Sequence, residues 1–311
     1  MVGFDDLVDD LPELVISSKP SGGLSTDEVR FGEYEGEDVL VKYASGANDE
    51  NNLLKGYRAC EHISEAADFR VPEPVKLVVE DNELLAIEEK VDTEYPSRQD
   101  WKNPDFFEQT VHRGVEILNE MHSNNLQSNI KESGLMVSED RIEQSMTKNL
   151  DLLSSETNED VYQLCREIIS AIKENGFERN FSHNDFNVDN MIFESGRLTG
   201  LFDWEKCGLA DRTRDIALFE SAIIDEYGMF FHRDKVESFR EIIRQDINHS
   251  FNPEILRMYR FFQNAVAYSY ISNGQCSETW RSIGTNKEII RHRKKLIDNR
   301  KQGIKEDVQA F

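Results

Sequence analysis

Proline is scarce in this chain, 7 residues in 311, and no stretch repeats a residue or a motif at a fixed period. That disfavours a solenoid and leaves a folding composition and not a disordered one. Long apolar runs are also missing. The longest, such as Ala265-Val266-Ala267-Tyr268, fall far short of the ~20 residues a spanning helix needs, and Met1 to Asp10 carry four Asp with neither Lys nor Arg. No signal peptide, membrane span or membrane partner is expected. Basic residues are outnumbered, 36 against 60 acids, for a net charge of −24. Such a field repels phosphate backbones and anionic lipid, so no nucleic acid is expected as a partner. The one basic patch, Lys287 to Lys305, holds eight Lys/Arg and two acids and reads as a solvated helix face, which leaves about −30 on the remainder. The acidity also suits a chain living in concentrated salt, a hypothesis that activity rising with molar KCl would support. Paired cysteines are lacking as well: Cys60, Cys165, Cys207 and Cys276 lie 105, 42 and 69 positions apart, with no C-x-x-C to hold zinc or a redox disulfide. Reduced thiols in a cytoplasmic setting are the expectation.

What is present is a core-forming composition, 38% hydrophobic with 18 Phe, and enough chain for about two domains of ~150 residues. From Glu28 to Glu89 the apolar runs are short and strand-like: Val29-Arg30-Phe31, Val39 to Tyr43, Val75 to Val79 and Leu84 to Ile87. One helix interrupts them, Asn48 to Ala67, with Leu53, Leu54, Tyr57, Cys60 and Ile63 at three- and four-residue steps, and Val71-Pro72-Glu73-Pro74 stops it. After Val91 the period becomes helical. Phe107 to Met121, Val161 to Ile172, Ile216 to Ile223 and Ile255 to Val266 each show an apolar stripe. Polar Asp92 to Asn103 separates the regimes. The expectation is an α+β, bilobal molecule: residues 1–91 form a small antiparallel-sheet lobe with one helix, and 92–311 a larger, mostly helical lobe.

Between Phe181 and Ile216 lies a stretch of another kind. Two apolar runs, Met191-Ile192-Phe193 and Leu198 to Phe202, flank Ser195-Gly196-Arg197, which predicts a hairpin. Its open end brings Asn190 close to Asp203. A hard cation such as Mg²⁺ takes one or two protein oxygens and keeps its other positions for water and phosphate, which suits one amide and one carboxylate. Asp185, five residues before Asn190, is placed to accept a proton from a substrate hydroxyl. A lone Asn or Asp more often decorates a turn. The combination H-x-D-x-x-x-x-N followed thirteen residues later by Asp203 favours function.

His183-x-Asp185 to Asn190, Asp203-Trp204-Glu205, Gly208-Leu209-Ala210-Asp211 and Asp215-Ile216-Ala217 together resemble the aminoglycoside phosphotransferase and choline kinase group of the protein-kinase-like superfamily. The motif match is local, while lobe order and length agree over nearly the whole chain. The resemblance implies ATP-dependent phosphorylation of a small-molecule acceptor, with adenine at a hinge between lobes, Asp185 as base, and Asn190 and Asp203 on Mg²⁺. The form His183-Asn184-Asp185 leans toward choline and ethanolamine kinases. His183 braces the loop on this reading, and Asp211 and Asp215 cap a helix or tie down loop backbone. Trp204 packs, and Glu205 caps or pairs nearby.

Phosphoryl transfer requires a cation and donors from the first lobe. Lys42 is the candidate, on a strand whose alternation sets Val39 and Val41 on one face and Leu40 and Lys42 on the other. Its carboxylate partner is Glu50 or Glu61, and the family's placement early in the helix favours Glu50. No G-x-G-x-x-G covers the phosphates; Gly22, Gly23 and Ser25 in Lys19 to Thr26 are the substitute. The backbone of Glu88-Glu89-Lys90-Val91, with Glu89 and Val91 foremost, is the expected adenine contact. The acceptor is a small metabolite, with an amino alcohol, amino sugar or aminoglycoside favoured by the acidity, and the aromatics of Tyr259 to Tyr270 either cage a quaternary amine or pack in the core. The rival reading is a catalytically silent relative that binds nucleotide or metabolite. Protein-serine phosphorylation is disfavoured because no Ala-Pro-Glu segment follows Asp203. A metal-dependent hydrolase needs a richer His/Asp cluster than these seven scattered histidines give.

Overall fold

The computed structural model describes residues 3–19, 28–81, 83–132, 159–174, 179–226, 232–248 and 251–272, with single positions at 146, 150 and between 291 and 305. Gly22, Gly23, Ser25 and Cys276 lie outside these, as does most of the basic tail. The chain divides into two compact units, one of Met1–Glu94, Ser123–Met136 and Asn190–Cys207, the other of Tyr95–His122, Val137–Asp189 and Gly208–Phe311. The first therefore runs past residue 91 and takes in two later segments that a division at 91/92 assigns to the second lobe.

The first unit begins with helix α1 (Phe4–Asp9) and strand β1 (Leu14–Ser18), then β2 (Glu28–Tyr34), β3 (Glu37–Ser45), helix α2 (Ala47–Ala66), β4 (Pro74–Glu80) and β5 (Glu83–Glu89). The strands form one antiparallel sheet in the order β1-β2-β3-β5-β4. Alternation along β3 separates two apolar layers. Val39, Val41 and Tyr43 join Leu85, Ile87 and, from the N-terminal segment, Leu7, Leu11 and Leu14. Ala44 joins Leu84, Ala86 and the Leu53 and Tyr57 of α2 on the opposite face. Because both faces are covered, nearly all of β5 and the Val41–Ala44 stretch of β3 are buried, while the two ends of β3 are exposed. Neither α1 nor β1 was anticipated. The acids of Phe4–Asp9 mask its single buried leucine, and β1 buries only Leu14 while Val15 is largely exposed.

After the sheet come α3 (Arg98–Lys102), α4 (Pro104–Met121), α5 (Asn124–Glu132), α6 (Glu159–Glu174), β6 (Arg179–Ser182), β7 (Met191–Glu194), β8 (Arg197–Leu201), β9 (Gly208–Asp211), α7 (Arg212–Glu220), α8 (Arg233–Asp246) and α9 (Pro253–Ser272). Of these, α5 and the β7–β8 hairpin belong to the first unit. The hairpin is tied in through backbone: Arg70 N–H donates to Thr199 O at 3.0 Å, Leu201 N–H to Arg70 O at 2.9 Å, and Glu94 N–H to Phe193 O at 3.2 Å. Gly200 permits the approach, since a Cβ there would lie 1.8 Å from Arg70 O. These bonds explain why the unit is discontinuous in sequence.

The second unit is mostly helical, with β6 and β9 paired antiparallel. Helix α4 starts under local control: Asn103 caps it by accepting from Asp105 N–H at 3.0 Å, and Pro104 occupies its first turn. Its apolar face carries Phe107, Val111, Gly114, Leu118 and Met121. Gly114 makes room for the Phe219 ring, 2.2 Å from where a Cβ would stand. Phe219 packs edge-on against Phe186 at 5.1 Å, which carries the helical core to the loop after β6. Tyr259, Phe261 and Phe262 of α9 are buried, so these aromatics pack in the core.

Candidate active site

The hairpin closes through Ser195-Gly196, whose φ angles of 50° and 72° are both positive, as a two-residue type I′ turn requires. Register follows from that turn. Met191 pairs with Leu201, and one step further Phe202 N–H donates to Asn190 O at 3.0 Å. Asn190 and Asp203 are thereby neighbours at the open end. Asn190 ends a 3₁₀ turn, Val188–Asn190, and is buried; Asp203 is half-buried in left-handed backbone (φ 60°, ψ 62°) and opens the 3₁₀ turn Trp204–Lys206. Trp204 fixes that turn by stacking on Phe69 and donating from Nε1 to Leu201 O at 3.2 Å.

Lys42 is buried in the same unit, with its ammonium 3.1 Å from Glu88 Oε2 and 3.4 Å from Glu205 Oε1. Burial alone would lower its pKa. The charges of Glu88 and Glu205, with Asp203 further off, more than offset this and hold it above the ordinary lysine value. Leu40 faces Glu88 across the β3–β5 ladder and Lys42 faces Ala86, so Lys42 and Glu88 are diagonal neighbours on one sheet face. Glu205 arrives with the turn after Asp203, which α2 approaches so closely at Gly56 that a Cβ there would be 3.0 Å from Glu205 N. Among the described residues, the carboxylates paired with Lys42 are Glu88 and Glu205. Glu61 is exposed on α2, and the side chain of Glu50 lies outside the described residues. Sequence reasoning missed Glu88 as a partner because strand register decides it, and Glu205 because only tertiary packing brings it to Lys42.

Part of the backbone of Glu88-Glu89-Lys90-Val91, the segment expected to meet adenine, is engaged within the unit. Glu89 N–H donates to Glu73 O at 2.8 Å, Lys90 N–H donates to Asp38 O at 3.2 Å, and the Glu89 carboxylate pairs with Arg70. Val91 is half-buried just beyond β5.

Asp185 belongs to the second unit, half-buried in the loop after β6. Its N–H donates to His183 Nδ1 at 3.2 Å, which places any proton of the neutral His183 ring on Nε2. His183 is fully buried and lies edge-on to Phe186. Asp215, also fully buried, accepts from His183 N–H at 3.0 Å and Asn184 N–H at 2.9 Å. Asp211 caps α7 by accepting from Thr213 N–H at 2.7 Å, and burial raises its pKa despite that bond. His183 and Asp215 therefore fix the backbone on the N-terminal side of Asp185.

One amide and one carboxylate at neighbouring backbone positions are the donor types a hard divalent cation takes when water and phosphate complete its shell. No group of three or more His, Cys, Asp or Glu suited to a metal occurs among the described residues. Burial pushes the Cys60 thiol well above its ordinary value and the Cys207 thiol up to about 12.

A two-lobed arrangement of antiparallel sheet and helices, with these residues on it, is the protein-kinase-like fold. The sequence profile of the phosphotransferase enzyme family matches residues 18–258, and the chain belongs to that family. Aminoglycoside 3'-phosphotransferases of Escherichia coli and Salmonella typhimurium are each 46% identical to it over 37 residues, 12% of this chain and 14% of theirs, so the match spans a small part of those relatives. Among solved structures it is similar to the GDP complex of aminoglycoside 2'-phosphotransferase-IIIa, with a TM-score of 0.61 at 12% identity over 93% of this chain and 96% of that one. It is also similar to a type VIII aminoglycoside-3'-phosphotransferase (TM-score 0.56, 16% identity, 84% and 98% covered). A third is spectinomycin phosphotransferase with ADP and spectinomycin (TM-score 0.57, 12% identity, 94% and 93% covered).

Proposed function

We propose that this chain transfers the γ-phosphoryl group of Mg-ATP to a hydroxyl of a small acceptor. The observation that carries the reading is the juxtaposition of Asn190 and Asp203 at the open end of one hairpin, in the unit that holds Lys42 among Glu88 and Glu205. Bound Mg²⁺ would draw off negative charge from the triphosphate. Asn190 and Asp203 would hold it. Lys42, ionised and fixed by two carboxylates, donates to phosphate oxygens. Asp185 takes the proton of the acceptor hydroxyl as its oxygen bonds to the γ-phosphorus and the bond to the ADP oxygen breaks. His183 and Asp215 hold the loop that presents Asp185, and the five-residue span to Asn190 tethers it to the metal pair.

The acceptor class is a cationic alcohol: an amino alcohol, amino sugar or aminoglycoside. A net charge of −24 favours a positively charged partner, and spectinomycin accompanies ADP in one of the similar structures. The test is ADP release from Mg-ATP with choline, ethanolamine, kanamycin and spectinomycin, for the wild type and for Asp185→Ala and Asp203→Ala. At least one acceptor should stimulate turnover, and Asp185→Ala should lower kcat by about 10²- to 10⁴-fold. A wild type that binds nucleotide without turnover would support the silent-relative reading instead, and undiminished turnover in Asp185→Ala would remove Asp185 from its role.

A further inference from the structure

Asn184 stands between His183 and Asp185 in left-handed backbone, with φ of 65°. Glycine adopts that region without strain, and asparagine is among the few other residues that tolerate it. The side chain adds something glycine lacks. Its Nδ2 donates to Gly208 O at 3.3 Å, and its Oδ1 accepts from Arg214 Nη1 at 3.2 Å. Both contacts reach the β9–α7 segment, and both Asn184 and Arg214 are buried. The next residue of the same helix, Asp215, takes the backbone N–H groups of His183 and Asn184. Two consecutive residues of α7 therefore grip a single loop residue, one by its amide side chain and one by its backbone. The following residue is Asp185.

We infer that Arg214 and Asn184 form a positioning pair: the Arg214 guanidinium, bonded to the Asn184 amide, sets the left-handed turn that aims the Asp185 carboxylate. The inference rests on the phosphotransferase reading for the role of Asp185. The pair itself can be tested without that reading. A hydrogen bond from a charged donor in a buried site is stronger than a neutral one, and its loss frees the turn while leaving the metal pair in the first unit untouched. Reactivity is sensitive to small misplacements of a reacting group. The effect should then fall on kcat and leave nucleotide affinity alone.

The experiment is a double-mutant cycle of Asn184→Gly, Arg214→Met and both together. Three readouts are followed: ADP release from Mg-ATP, affinity for a fluorescent ATP analogue, and hydrogen–deuterium exchange of the peptide spanning 183–189. Each single variant should lower kcat by at least about tenfold with nucleotide affinity within about twofold, and the double should be no worse than the poorer single. Exchange of 183–189 should accelerate in both singles and no further in the double. Asn184→Gly guards against loss of folding, since it relaxes the backbone. If glycine leaves kcat and exchange unchanged, asparagine serves only its φ angle and the pair is overturned. Additive losses in the cycle would also overturn it. A wild type without turnover would end the phosphotransferase reading, and the exchange data would still decide whether the pair holds the loop.

Discussion

Asp211 has to accept a hydrogen bond from a helix N-terminus inside a largely buried site, and the two demands conflict. Burial raises its pKa, whereas the Thr213 N–H and nearby Arg212 and His122 pull it down; burial prevails. The sign of its contribution follows. A carboxyl with a raised folded pKa is most favourable to folding below its unfolded value near 3.8 and loses that advantage as pH rises through the folded pKa. Asp211→Asn keeps an oxygen for the Thr213 cap without the charge. Its melting temperature at pH 7 should equal or exceed that of the wild type, and the wild type should gain on the variant as pH is lowered toward 4. Thermal melts across pH 4–8 measure this, and a variant that is less stable at pH 7 would refute it. At this scale, the parts of the site that depend on local chain were legible. Asn190 and Asp203 follow from hairpin geometry, and Asp211 and Asp215 from the start of an apolar helix. Glu88 and Glu205 were not legible as partners of Lys42, because a strand register and a packed turn lie outside any local pattern.

The hairpin is joined to Arg70 by main-chain bonds as well as by the Arg70–Glu194 ion pair, so its docking depends on how near two backbones can come. Gly200→Ala would place a methyl 1.8 Å from Arg70 O, against rigid main chain on both sides. Destabilisation of about 1–3 kcal/mol is expected, read as a lower urea midpoint, together with weaker Mg²⁺-dependent nucleotide binding, because Asn190 and Asp203 ride on the displaced hairpin. An alanine variant with the wild-type midpoint would show that the approach has slack. Elements with a clean period were legible: β3 and β5 as apolar runs, α2, α4, α6 and α9 as stripes. The short ones were not. Helix α3 rests on its Ser97–Asp100 capping box and the burial of Trp101, and β6 and β9 are four-residue strands that exist by pairing with each other.

Over the whole molecule, an excess of 24 negative charges works against compaction, and mobile ions weaken that repulsion. The melting temperature should therefore climb as KCl is raised from 0.05 M to 1 M, about the range over which the screening length falls from above 10 Å to 3 Å. A flat or falling curve would separate the acidity from stability altogether. Among the described residues no helix is long and apolar enough to cross a membrane.

Because Arg70 receives its main-chain partners from Thr199 and Leu201, the first unit is not encoded by a continuous stretch of gene. A fragment ending at codon 94 would emerge from the ribosome with one layer of its scaffold still to be synthesised, and would wait for more than a hundred further residues before it could close. Supplying residues 123–136 and 190–207 as separate peptides to such a fragment is thus a route to reassembly in trans, whereas the fragment alone has nothing to seal the exposed backbone of Arg70.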